Sequence, residues 1–264
     1  MLAAILLALV TSGLFILLLG FNPLSVYKTM LLGAFGTEYR IQQTVVAAIP
    51  LIIISLGIAI AFKMKFWNIG GEGQVIMGAF CASYLALNYQ HLPRPLLLSL
   101  MIVAGFIGGA LWGLIPAFLK AKWDTNETIV TLMLNYVALK WVTYLQYGPW
   151  KDPASLGFPK IANFAENAIL PKLFGVHVGW VIALVLTVIM YIFMNYSKKG
   201  FEIAVIGESI NTARYAGVNI FRTIIFTMLL SGGLCGLAGM IQASAVNNTL
   251  SVEVAGGVGY TAII

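Results

Sequence analysis

Charge is what this sequence has least of. Asp, Glu, Lys and Arg make up 9% of its 264 residues, while hydrophobic residues make up 60%. Soluble domains carry about 25% charged residues, so this scarcity excludes an ordinary soluble fold and indicates an integral membrane protein. No G-x-x-x-x-G-K-[ST] loop is present, so the chain has no recognisable phosphate-cradling nucleotide site of its own. No His/Cys cluster has metal-ligand spacing, and no Ser/His arrangement matches a hydrolase motif. An enzyme reading therefore has almost no support. The net charge of +6 is spread out, with no basic run longer than Lys198-Lys199. It points to basic membrane loops and not to nucleic acid. The two cysteines, Cys81 and Cys235, lie in apolar runs and read as small packing residues. His91 and His177 stand alone in loops and are expected to be solvated.

What is present is a series of apolar runs. Seven spans are read at Met1–Gly20, Thr44–Phe62, Val75–Asn88, Leu96–Leu119, Ile129–Tyr147, Gly179–Tyr196 and Thr223–Ala245. The third is short for a membrane that takes roughly 20 apolar residues to cross. The expected fold is an all-α, polytopic helical bundle with a broken helix or re-entrant segment, forming a single transmembrane domain over 1–264. The first run lacks a basic lead and a cleavage site, so it reads as a span and not a signal peptide. Tyr260–Ile264 resembles the start of a further apolar element, and the expectation is a C-terminally truncated fragment. With the N-terminus inside, the inner loops hold eight basic residues, Lys63, Lys65, Lys120, Lys122, Lys198, Lys199, Arg214 and Arg222. The outer loops hold six, Lys28, Arg40, Arg94, Lys151, Lys160 and Lys172. The inner charges cluster at span ends, which favours a cytoplasmic N-terminus.

Four polar interruptions stand out. Asn68-Ile69-Gly70-Gly71-Glu72-Gly73-Gln74 is wedged between two apolar runs. An ionised carboxylate at the centre of a span costs about 2.5–3.5 kcal/mol on insertion scales, so Glu72 marks either a polar path through the bundle or a wet cytoplasmic turn. Lys120–Glu127 reads as an inner loop in which Thr125 or Asn126 caps the next helix, or as a gate or partner contact. Asn135 and Lys140, in the helix that follows, are expected to face the bundle interior. Ser197–Arg222 suits a short amphipathic helix, capped by Ser209 or Asn211 and ended by Gly217, that docks a protein or lies on headgroups. Asn247–Gly259 resembles a second re-entrant turn. Glycines four apart at Gly105/Gly109 and Gly232/Gly236 permit close helix approach.

In four places these residues resemble one family. Phe66-Trp67-Asn68-Ile69-Gly70-Gly71-Glu72-Gly73-Gln74 is similar to its F-N-I-G-x-E-G-Q pattern, with Trp67 inserted ahead of the asparagine. Asn126-Glu127 with Met133-Leu134-Asn135-Tyr136, and Ser231-Gly232-Gly233 with Gly236–Gly239, also fit. Gly207-Glu208-Ser209-Ile210-Asn211-Thr212-Ala213-Arg214-Tyr215-Ala216-Gly217 follows G-x-N-x-x-A-A-R-Y-A-G, departing at Glu208-Ser209 and Thr212. The chain thus resembles permease subunits of bacterial ABC importers in the branched-chain amino acid and simple-sugar permease superfamily. Its nucleoside-type branch, which works with basic-membrane-lipoprotein binding proteins, is the nearest. The resemblance implies a multi-pass protein of the bacterial inner membrane that pairs with a second permease. It also implies a cytoplasmic ATPase that uses ATP and Mg, an external solute-binding lipoprotein, and no cofactor in this chain. A nucleoside or simple sugar is the implied solute. Asn68, Gly70, Gly71, Glu72, Gln74 and Asn135 are expected along its path or gate. Gly207, Glu208, Asn211, Ala213, Arg214, Ala216 and Gly217 are expected in the ATPase-coupling loop. The rival is an ion-coupled secondary transporter or channel, which would be expected to hold more intramembrane carboxylates than Glu72 alone.

Overall fold

The computed structural model describes residues 2–264, with side chains from residue 3; Met1, where the first expected span begins, lies outside them. The described chain divides into two compact units, one up to Ala47 and one over Ala48–Ile264. In the first unit, α1 (Leu2–Leu18) and α2 (Pro23–Phe35) are bent from one another by 117°. Asn22 caps α2 and Pro23 opens it, and Tyr27 Oη donates to the Leu9 carbonyl at 2.6 Å to hold the bend.

α3 (Glu38–Lys63) leads into the second unit, which contains α4 (Gly71–Asn88), α5 (Arg94–Trp123) and α6 (Glu127–Tyr147). A small hairpin of β1 (Lys172–Leu173) and β2 (Val176–His177) follows, and then α7 (Gly179–Tyr196). Two short helices come next, α8 (Lys198–Glu208) and α9 (Ile210–Tyr215), before α10 (Ile220–Ile241) and α11 (Val258–Thr261). Among the described residues, five helices are long and apolar enough to cross a membrane, namely α3, α5, α6, α7 and α10 with its continuation to Asn247, and α1 with α2 makes a sixth if the bent pair counts as one span. The seven-run reading differs because α4 opens on Gly-Glu-Gly-Gln, which dilutes its apolar character, and α1 is shorter than a full span.

The core of the second unit is the packing of α4, α5 and α10 on one another. Glycines set its tightness. A Cβ on Gly109 would collide with the Gly232 carbonyl, one on Gly236 with the Gly105 carbonyl, and one on Gly78 with the Gly236 backbone. Backbone thus meets backbone across all three helices, where dispersion contacts replace a hydrophobic driving force that lipid cannot supply. Every residue of α10 from Ser231 to Ile241 is buried.

Two expectations fail here. His177 is not solvated. It is 3% exposed, and neither ring nitrogen has a hydrogen-bond partner. Burial, and then the Lys172 charge, hold its pKa below the usual imidazole range, so it is neutral at pH 7. Lys140 does not face the interior. Its side chain is exposed, because it falls on the side of α6 away from Asn135, which is buried.

Gly236→Leu should destabilise the purified protein by about 3 kcal/mol or more, since neither neighbouring backbone can yield. Gly33→Ala, where nothing lies within 4 Å of a Cβ, should instead be neutral or gain up to about 1 kcal/mol by helix propensity. Thermal unfolding in detergent compares the two, and equal midpoints would refute the packing account.

Candidate functional site

The chain breaks between α3 and α4. The end of α3 is closed by a pair of backbone bonds, Phe66 N to the Ala61 carbonyl at 3.0 Å and Lys65 N to the Phe62 carbonyl at 2.8 Å. Lys65 takes the left-handed conformation (φ 58°) that this C-terminal motif needs. The next residues run as irregular backbone to Gly70, and Glu72, Gly73 and Gln74 form the first turn of α4. Gly71 lies against Ile58 and Ile54 of α3. Ile58 is five residues from the end of α3, Asn135 eight from the start of α6, and Ser231 eleven from the start of α10. At 1.5 Å per residue the break sits about 8–16 Å inside the helix ends.

Polar side chains satisfy it there. Asn68 and Gln74 pair reciprocally, Asn68 Nδ2 donating to Gln74 Oε1 and Gln74 Nε2 to Asn68 Oδ1, both at 3.1 Å. Asn68 Nδ2 also donates to Ser231 Oγ on α10 at 3.0 Å, and Asn68 Oδ1 accepts from Gly70 N at 3.1 Å. Asn135 Oδ1 accepts from Gly73 N at 2.8 Å, while its Nδ2 donates to the Ile69 carbonyl at 2.9 Å and to Tyr260 Oη at 3.2 Å. A Cβ on Gly70 would press on Thr131, and one on Gly73 on Asn135 and Trp112. The indole Nε1 of Trp112 is buried there without a partner.

Glu72 is buried, 9% exposed, so the reading of it as a wet turn residue does not hold. Its carboxylate accepts from Gly257 N and Gly259 N, each at 2.8 Å. These donors belong to a re-entrant segment. Gln146 Oε1, one residue from the end of α6, accepts from Val252 N at 3.2 Å. A few residues later the chain has reached Glu72, while Tyr260 meets Asn135, about 16 Å back along α6 at 1.5 Å per residue. Charge-assisted bonds to backbone N–H groups let a carboxylate remain in apolar surroundings without water.

The second group of expected residues lies at the end of the unit that bears Lys63, Lys65, Lys120 and Lys122. The expected short helix, capped by Ser209 and followed by Gly217, is α9, and α8 precedes it. Ser197 caps α8, accepting from Gly200 N at 2.9 Å, and Ser209 caps α9, accepting from Thr212 N at 3.3 Å. Gly217, at φ 73°, lets the chain turn away after α9. Glu208, Asn211, Arg214, Ala216 and Gly217 are exposed, and Tyr215 is 95% exposed. Ala213 and Gly207 are buried, so they pack against this chain and do not present a surface. Gly207 abuts the Lys63 carbonyl. Glu202 Oε2 accepts from Lys199 Nζ at 2.6 Å and from Thr223 Oγ1 of α10 at 3.2 Å. The Lys199 ammonium holds the Glu202 carboxyl below the usual carboxylate range. This tie is therefore complete at neutral pH, and it is lost only as pH falls through that lowered value.

A cavity of about 360 Å³ separates α8 and α9 from the break, lined among others by Lys65, Phe66, Lys120, Glu127, Gly207 and Asn211. Asn126 caps α6 beside it, accepting from Thr128 N at 3.0 Å and Ile129 N at 3.3 Å. Lys120 Nζ bridges Asp124 at 2.8 Å and Glu127 at 3.3 Å. Sequence reasoning did not single out Tyr260, Glu202, Thr223 or Trp112 as site residues. Tyr260, Glu202 and Thr223 act through partners distant in the chain, and Trp112 is brought to the break only by packing against Gly73, so no local pattern marks them.

A family model described as "Branched-chain amino acid transport system / permease component" matches residues 40–264. A glucose ABC transporter permease protein of Haloferax volcanii is 33% identical over 272 residues, covering 98% of this chain and 71% of the relative. A guanosine ABC transporter permease protein of Bacillus subtilis is 33% identical over 273 residues, covering 99% and 76%. A nucleoside ABC transporter permease protein of Lactococcus lactis is 30% identical over 256 residues, covering 91% and 69%. No solved structure matches the chain.

Glu72→Gln should release one of the two N–H groups, because a neutral amide offers one acceptor oxygen where the carboxylate offers two. Amide hydrogen exchange at one of Gly257 and Gly259 should then quicken about tenfold or more, the loss expected for a bond to a charged group. Unchanged exchange at both amides would show that the carboxylate does not hold the re-entrant segment.

Proposed function

From the premise that this chain belongs to the branched-chain amino acid transport system permease family and is the transmembrane permease subunit of an ABC importer, we propose that its solute is a nucleoside or simple sugar and that the buried polar break is the gate of the solute path. The solute class is supported by the relatives, whose names specify glucose, guanosine and nucleosides. A sugar ring is the chemistry these solutes share.

The observation that carries the gate reading is the convergence of α4, α6, α10 and the re-entrant segment on one set of buried hydrogen bonds. Asn68, Gly70, Gly71, Glu72, Gln74 and Asn135 are held in a closed arrangement. Opening exchanges their mutual bonds for bonds to water or to solute hydroxyls, and Trp112 Nε1 offers a further unpartnered donor beside them. Family membership entails partners that hydrolyse ATP and that bind the solute. In the finer reading, a second permease completes the membrane dimer, a lipoprotein delivers solute on the outer face, and a cytoplasmic ATPase uses ATP and Mg. Gly207, Glu208, Asn211, Ala213, Arg214, Ala216 and Gly217 form the coupling loop, with Arg214 and Tyr215 on its exposed side and Gly207 and Ala213 setting its seat. The basic end of the helices is then cytoplasmic, in line with the positive-inside rule. ATP binding shifts the balance between two states of the permease through differential partner affinity. The rival ion-coupled carrier is disfavoured because the carboxylate of Glu72 is occupied by backbone donors.

Uptake of radiolabelled guanosine and glucose into vesicles tests this reading, with the permeases, binding protein and ATPase present or with the ATPase omitted. Uptake of one of them that requires both ATPase and ATP is the expected outcome. Gradient-driven uptake by the permease without ATPase would overturn the importer reading in favour of a secondary transporter.

A further inference from the structure

The coupling loop and the gate are joined by a line of buried polar side chains along α10. Thr223, Thr227 and Ser231 follow one another at four-residue spacing, so they lie on one face of that helix. All three are 0% exposed. At one end Thr223 Oγ1 donates to Glu202 Oε2 of α8 at 3.2 Å. At the other end Ser231 Oγ accepts from Asn68 Nδ2 at 3.0 Å. Between them Thr227 Oγ1 donates to the Thr223 carbonyl at 2.7 Å. The eight steps from Thr223 to Ser231 span about 12 Å of rigid helix at 1.5 Å per residue.

Glu202 is the pivot of this line. It is 8% exposed, although it lies in a segment whose next acidic residue, Glu208, is exposed. Burying a carboxylate is unfavourable unless it is paired and hydrogen-bonded, and Lys199 and Thr223 meet both needs. Among the described residues, the Glu202–Thr223 bond is the side-chain hydrogen bond that joins α8 to α10. Around this bond, Gly200 packs on the Phe193 and Met194 backbone at the end of α7, Gly207 packs on the Lys63 carbonyl, and the Ile203 and Ile206 side chains are buried. Packing contacts of this kind are non-directional. A hydrogen bond to a charged acceptor is directional and resists sliding.

We propose that Glu202 is a positioning residue for transport, which passes displacement of α8 to α10 through Thr223 and thereby moves Ser231 against Asn68. The proposal rests on the coupling-loop and gate assignments above. It adds the route between them. When α8 is displaced, Thr223 follows Glu202. Ser231 then shifts with the same helix and draws on the Asn68–Gln74 pair that closes the gate. α10 meets α5 and α4 largely through glycine backbone, with Phe106 seated against Gly233 and Met240 against Gly105, so the shift carries these side chains with it.

The test uses the complete importer in vesicles and reads solute imported per ATP hydrolysed, normalised to assembled complex. Thr223→Val keeps the shape and removes the donor, whereas Thr223→Ser keeps the hydroxyl. Thr223→Val and Glu202→Ala should each lower the ratio about tenfold, the worth of one bond to a charged group. The double variant should be no worse than either single one, as residues acting through one bond are non-additive. Thr223→Ser should restore the ratio. A purely structural role for Glu202 would lower the amount of assembled complex at an unchanged ratio, and that result overturns the proposal. So do a normal ratio in Thr223→Val, which would leave transmission to the Gly207–Lys63 contact, and additive losses in the double variant. In all these outcomes the wild-type importer still requires ATP and its ATPase, so failure of this route is distinct from failure of the importer reading.

Discussion

A helix that stops inside an apolar bundle leaves backbone N–H and C=O groups with neither water nor a helical partner, and each such group costs several kcal/mol in hydrocarbon. The segment from Phe66 to Gly70 is in this position. The fold meets the demand with side chains drawn from far along the chain. The Asn135 amide serves Gly73 and Ile69, and Asn68 turns back on Gly70. Even the carboxylate of Glu72 is used in the same way, supplying acceptors to a second irregular segment at Gly257 and Gly259. The two irregular segments thus stabilise one another, each lending what the other lacks.

That solution dictates the packing around it. Ser231 reaches Asn68 only if α10 lies close to the break, and α10 lies close because glycines at 232, 236 and 239 remove the side chains between backbones. Gly239 abuts the Val75 carbonyl on α4, one residue beyond Gln74. The small residues and the polar ones are therefore parts of one device. The glycines bring the helices together, and the amides and the carboxylate make their meeting point tolerable to apolar surroundings.

The same device suits a moving part. Hydrogen bonds between side chains can be exchanged for bonds to water or solute at little net change in free energy, since each is worth about 0.5–1.5 kcal/mol net. Where glycine backbones meet, few side chains interlock, Phe106 against Gly233 and Met240 against Gly105 among them. A permease must alternate between arrangements that differ by a few kcal/mol, which a core of interdigitated leucines would resist. The cavity between the break and α8/α9 gives the helical pair room beside the element it would have to move.

Much of this could be read from the sequence. The scarcity of charge marked a membrane protein, and the glycines and carboxylate of Asn68–Gln74 marked an interruption between apolar runs, while the burial of Glu72 decided against a wet turn. Asn126 as a cap and Gly217 as a turn were legible because capping and left-handed backbone are local chemistry. Asn135 was legible as an inward amide, yet Lys140, on the same helix, was placed inward and lies outside. Polarity alone does not say which side of a helix is covered. His177 was taken as solvated and is buried, because the two-stranded hairpin that holds it brings its ring against Gly179 at the start of α7. The sequence by itself determined the caps of α6 and α9, the turn at Gly217 and the break before α4, since those depend on residues within a few positions of each other. Only the tertiary structure decided what Glu72, Ser231 and Glu202 do. Their partners lie 185, 163 and 21 residues away, and a hydrogen bond is fixed by distance in space, on which local pattern carries no information.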